Sequence, residues 1–166
     1  MQNNARVWRA GENNPVKRYL MEYRALVSRR DALLDELDRM REATLRATGR
    51  IAAVRLSGTP NHGGNEDAIL RAVDGEARLK LVIEHVCEAL LVRLTLIERL
   101  CDERHKTLLT LRYINGQTWE QIGYHMHYER TQVFEIHGQA LLEAQQAMEA
   151  MRAQGVGEKG QEGCKP

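Results

Sequence analysis

Between residues 118 and 135 the chain carries six side chains whose types suit direct reading of a polar surface. Arg130 offers a planar fork of donors, Gln132 a carboxamide that both donates and accepts, and Glu135 a pure acceptor. Thr118 and Thr131 add hydroxyls, and Phe134 adds an apolar face. Set on two adjoining helices, such side chains match the edges of base pairs and the flanking backbone. Arg130 fits a guanine edge or a phosphate, Gln132 an adenine edge or a phosphate, and Glu135 a cytosine amino group, while Thr131 and Phe134 suit thymine methyls. The plainer alternative is an ordinary solvated helix face. Other chemistries are poorer fits. His125 and His127 straddle a helix end, so their rings need not converge with His137 on a metal, and no regular third ligand is supplied. His85 and Cys87, two apart on a helix, face away from each other and make a poor base and nucleophile. The Gly-rich stretch 57–65 (SGTPNHGGN) lacks both a preceding strand and a following GK[ST], so a phosphate cradle is not expected. No enzyme activity, metal or cofactor is expected from these residues.

Positioning the first set requires two helices and a turn. Thr118 followed three residues later by Gln121 is a capping-box pattern. Ile122 and Met126, four apart, share one helical face, and Gly123 leaves room for a close crossing. His127 and Tyr128 break the run. A second helix then places Val133, Ile136, His137 and Ala140 on an inward stripe. Thr131, Phe134, Glu135 and Gly138 point outward, with Arg130 and Gln132 on the flanks. His137 reads as a packed histidine and Trp119 as a core anchor. This is the layout of a helix-turn-helix, whose second helix has a free face for the major groove.

The run RYINGQTWEQIGYHMHYERTQVFEIHGQAL resembles region 4 of the primary bacterial sigma factors. It is still more similar to small phage and prophage proteins with a sigma-like region 4 behind a helical N-terminal half. The residues that carry the likeness are Leu108, Leu109, Leu111, Arg112, Tyr113, Ile114, Asn115, Gly116, Thr118, Trp119, Glu120, Ile122 and Gly123, then Ile136, His137, Ala140 and Leu141. The chain departs from the pattern at His127, where Gly is usual, and at Glu129, where a Ser N-cap is usual. Histidine is among the few non-glycine types that accept positive φ, so the turn is expected to survive. The resemblance implies a transcriptional regulator of phage or prophage genes, of the late-regulator type, binding double-stranded DNA in the host cytoplasm and acting with RNA polymerase. Two alternatives stay open. One is a DNA-packaging subunit of the small terminase kind; the other is an interaction protein that docks on polymerase rather than on DNA.

The rest of the chain, 166 residues in all, reads as helix. Aromatics make up only 5% and charged residues 28%, and the three prolines fall where helices start, pause or end. Asn14 and Pro15 form an N-cap and first-turn signal. Apolar residues then recur at three-and-four spacing to about residue 56, a helix about 60 Å long at 1.5 Å per residue. After the Gly-rich break the stripe returns with Ile69, Ala72, Leu79, Ile83, Val86, Leu90, Leu94, Ile97 and Leu100. Arg30, Glu76 and Arg93 are its charged interruptions. The expected fold is therefore all-α: a flexible segment 1–14, a long antiparallel helical hairpin or coiled coil over 15–101, the helix-turn-helix module over 102–153, and a disordered tail 154–166. Val82, Leu91, Val92 and Leu96 are left as apolar flanks of the hairpin, so a homo-oligomer, with a dimer favoured, is expected. Net charge is +1, which argues against binding by electrostatics alone. Cys87, Cys101 and Cys164 have no CxxC spacing and read as free thiols. No run approaches a membrane span, and no membrane partner is expected.

Overall fold

The computed structural model describes residues 14–56 and 64–154, and side-chain surroundings outside 51–66. The expectations for residues 1–13, for the loop 57–63 and for the tail beyond Gln154 fall outside the described residues. Every element among those described is helical: α1 (Pro15–Leu56), α2 (Gly64–Glu98), α3 (Glu103–Leu109), α4 (Trp119–Met126) and α5 (Arg130–Ala153), with a π-helical turn (Thr110–Ile114) after α3. No described helix is long and apolar enough to cross a membrane.

α1 begins where Asn14 and Pro15 direct it. The Asn14 side-chain oxygen accepts from the Val16 amide at 2.8 Å, as an N-cap does. The same side chain donates to the Leu141 carbonyl at 3.4 Å and to Gln145 Oε1 at 3.3 Å, fastening the start of α1 to α5. α1 and α2 form the expected long helical pair. Their contacts run in opposite sequence directions: Arg93 meets Tyr19 and Glu22, whereas Glu76 meets Thr44 and Arg41.

The charged interruptions of the stripes are satisfied rather than expelled. Arg93 is buried, yet its guanidinium donates to the carbonyls of Tyr19 (3.0 Å) and Ala89 (2.9 Å), pairs with Glu22 at 2.8 Å and lies 3.9 Å from the centre of the Tyr19 ring. Each buried donor therefore has a partner, which is the condition for tolerating the charge. Burial raises the Tyr19 hydroxyl above its ordinary pKa even with Arg93 beside it.

Packing divides the chain differently from the 15–101 and 102–153 partition drawn from sequence. One compact unit contains Met1–Val27 with Ala89–Pro166; the other is Ser28–Glu88, the far part of the helical pair. The core of the first unit joins Val16 and Leu20 of α1 and Leu96, Ile97 and Leu100 of α2 to Leu108, Leu109, Ile122, Val133, Ile136 and Leu141. Leu96 is thus a core residue, 1% exposed, and not an apolar flank. Val92 also packs against this core. Both are covered because α2 is surrounded on more than one side where it enters the unit. Val82 and Leu91 remain exposed, as expected.

The connection from α2 to α3 is tied to α5. Glu143 accepts from the Cys101 amide and from His105 Nδ1, each at 2.5 Å, and Asp102 caps α3 by accepting from the Arg104 amide at 2.8 Å. Burial opposes ionisation of Glu143, but the hydrogen bonds from His105 and the Cys101 amide outweigh it and hold the carboxyl below its ordinary pKa. After α3 the backbone widens. The Asn115 amide bonds to the Thr110 carbonyl at 3.0 Å, and Gly116 turns at φ 71°. The Arg24 guanidinium sits where a Gly116 Cβ would project. Glycine is needed there for its positive φ, whereas the Arg24 side chain could shift aside.

Candidate nucleic-acid interface

Local sequence builds both helices of the candidate site. Thr118 Oγ1 accepts from the Gln121 amide at 3.3 Å, and Gln121 Oε1 accepts from the Thr118 amide at 2.9 Å, so the capping box closes. α4 stops after two turns at His127, the one described non-glycine residue with positive φ (φ 59°, ψ 39°). The amide of Tyr128 bonds back to the Gly123 carbonyl at 3.0 Å. A Cβ on Gly123 would lie 2.9 Å from the Tyr128 carbonyl oxygen and 3.7 Å from Val133. Gly123 is therefore required by the backbone of the turn more than by a crossing of the second helix. α5 then starts from Glu129, whose amide donates to Gln132 Oε1 at 3.2 Å.

The six candidate residues do not all share one environment. Arg130, Thr131 and Gln132 are exposed together on the first turn of α5. Thr118 is exposed too, but its hydroxyl oxygen is engaged as a cap. Gln132 likewise gives its carbonyl oxygen to the Glu129 amide, which leaves its NH2 group to donate outward. Phe134 does not stand free on the outer face. It is half-buried against Trp119, with ring centres 4.9 Å apart. Glu135 is half-buried and engaged. Gly138, projected outward from the helical wheel, is buried.

Arg130 is held from two sides. Its Nη1 lies 3.5 Å from Glu120 Oε1, and its guanidinium lies 5.7 Å from the Phe134 ring centre. Phe134 rests on Trp119, and the Arg112 guanidinium lies over the other ring at 4.4 Å. The result is a cation–aromatic–aromatic–cation series that links the turn before α4 to the first turn of α5. Arg112 also donates to the Gln117 carbonyl at 2.8 Å. Sequence reading missed Arg112 and Glu120 as parts of this surface. Trp119 and Phe134 are fifteen residues apart, so their contact follows from the crossing of α4 and α5 and has no periodic signature.

Electrostatics on the surface and beneath it differ. Glu120 sits in the first turn of α4, where its own backbone amide and the Thr118 hydroxyl hydrogen-bond the carboxylate and keep it below its ordinary pKa. Beneath, His137 is buried as expected, and its partner is a side chain. Nε2 is 2.9 Å from the Tyr113 hydroxyl, and Trp119 meets the ring edge-on at 4.9 Å. Burial, with Lys17 and Arg112 adding to it, pushes the His137 pKa down to about 4; burial lifts Tyr113 to about 12. Both are neutral at pH 7.

His125 and His127 are exposed while His137 is buried, and no cluster of three or more potential metal ligands occurs among the described residues. His85 is exposed and Cys87 half-buried on the outer part of α2. Beside α4, Gln117, Glu120, Gln121, Tyr124 and His125 line a shallow cavity of about 430 Å³. Tyr124 is 86% exposed there. Compared with protein-family models, with curated proteins and with solved structures, the chain matches none.

Proposed function

We propose that this chain is a non-enzymatic, sequence-selective DNA-binding regulator in which α4, the turn at His127 and α5 act as a helix-turn-helix. The observation that carries this reading is the exposed first turn of α5, with Arg130, Thr131 and the donor end of Gln132 side by side. Capped α4 fixes the turn, and the Trp119–Phe134 contact fixes the angle at which α5 leaves it. Arg130 contacts a guanine edge or flanking phosphate, and Gln132 donates to an acceptor on a base or phosphate. The Arg130–Glu120 ion pair is exposed on both sides, so a phosphate can displace the carboxylate at little cost. Phe134 acts here as the support under Arg130 rather than as a reader of thymine. By the resemblance to sigma region 4, the targets are phage or prophage promoters and RNA polymerase is the partner. The far part of the α1–α2 pair provides the docking element.

One observation favours a second reading, docking on polymerase without base recognition. Glu120 is ionised in the first turn of α4 and shares a shallow cavity with the exposed Tyr124, and such a surface repels phosphate and suits a basic protein groove. Selection of duplexes from a random pool at two salt concentrations separates the two. Recovery of a common motif supports base reading. Recovery of unrelated sequences, with a complex that forms only when polymerase is added, supports docking.

A further inference from the structure

The outer side of α2 in the Ser28–Glu88 unit carries apolar side chains that no described residue covers. Leu70, Val73 and Leu81 are 63%, 51% and 65% exposed, and the exposed Ala77 lies between them. At about 100° per residue these four fall within about 80° of one another. They lie on the side of α2 opposite Gly75, which faces Met40 of α1. The stripe is therefore separate from the α1–α2 seam.

We infer that this stripe is the docking site for a second copy of the chain, with the two α2 helices antiparallel and the two-fold axis level with residue 76, next to Ala77. The stripe is complementary to itself in that register. Ala77 meets the partner's Ala77, and its small side chain lets the helices approach. Leu70 then falls beside the partner's Leu81, and Val73 beside the partner's Ala77. The exposed charges agree: Asp74 comes level with the partner's Arg78 along one side of the stripe, and by the two-fold Arg78 comes level with the partner's Asp74. A parallel pairing instead sets Asp74 level with Asp74 and Arg78 level with Arg78. A two-fold contact uses the same patch on both subunits, so one stripe bearing both signs in this order needs no other partner. The inference deepens the reading of the arm as a docking element and is independent of whether α5 reads DNA.

The test uses the full chain with Cys87→Ala, Cys101→Ser and Cys164→Ser. In that background Ala77→Cys forms a disulfide-linked dimer under mild oxidation. Leu70→Cys does not, because the two Leu70 positions stand about 20 Å apart along the antiparallel helices. By sedimentation the parent is a dimer, and Leu81→Arg raises its dissociation constant by at least about tenfold. Asp74→Arg weakens association, and Asp74→Arg with Arg78→Asp restores it. A monomeric parent, a dimer unaffected by Leu81→Arg, or efficient cross-linking through Leu70→Cys overturns the proposal. DNA binding by the same variants, read separately, distinguishes failure here from failure of the proposed function.

Discussion

The two compact units are built from the same two long helices, yet they bury very different amounts of side chain. In the unit that holds α3, α4 and α5, the core draws on every element, and nine of its large aliphatic side chains (Val16, Leu20, Leu96, Ile97, Leu108, Leu109, Ile122, Val133, Leu141) are under 2% exposed. Among the described residues of the Ser28–Glu88 unit only Leu37, Ile83 and Val86 are buried hydrophobics, while Leu34, Leu45, Leu70, Val73, Leu81 and Val82 are 40–71% exposed. Two helices side by side can cover only one face of each other. A third layer is needed to exclude water from the rest. The first unit has that layer within the chain; among the described residues the second has none.

The largest expected effect breaks the division at residue 102. A fragment covering 102–153 lacks Val16, Leu20, Leu96, Ile97 and Leu100, which complete the core. It should lose most of its helicity by circular dichroism; a cooperatively folded fragment would show that the helical base is dispensable. Next, truncation should cost more in the first unit than in the second. Ile122→Ala leaves a closed cavity and is expected to destabilise by about 2–5 kcal/mol. Leu37→Ala should cost about 2 kcal/mol or less, because the seam opens to water and only the transfer contribution is lost. Urea titrations of the two variants give the ratio directly.

Acid should act on the first unit through His137. Its folded pKa, near 4, lies below its ordinary value of 6.5, so the unfolded chain takes up the proton first as pH falls. The neutral buried ring contributes fully above pH 6.5, and that contribution drains away between 6.5 and 4, to a total of about 3 kcal/mol. His137→Phe should remove this part of the acid dependence, as denaturant midpoints across pH 4–7 would register. A smaller gain is expected at the turn. His127→Gly relieves a left-handed backbone and should stabilise by up to about 1 kcal/mol, visible as a higher melting temperature.

Much of this was legible in the sequence, and the parts that were not share a cause. The Asn14 and Thr118 caps, the left-handed His127 and the buried His137 follow from local chemistry within a few residues. Leu96, the Phe134–Trp119 contact and the seat of Arg24 over Gly116 depend on where distant elements cross. Helical periodicity reports which residues share a face, but it does not report how many faces are covered. For that reason Leu96 read as a flank and Phe134 as part of a free outward face.

Arg130 tests the central claim most directly. It is the single Lys or Arg between Arg112 and Arg152, and truncation leaves Glu120 exposed rather than stranded in the core. Binding of Arg130→Ala to a selected duplex, measured across a salt series, should weaken by about 1–3 kcal/mol with relaxed preference at one base pair if the guanidinium reads a base. If it holds a phosphate, all sequences should weaken alike, and the log–log salt slope should flatten by about 0.9. Unchanged affinity and slope in a correctly folded variant would contradict DNA recognition by α5.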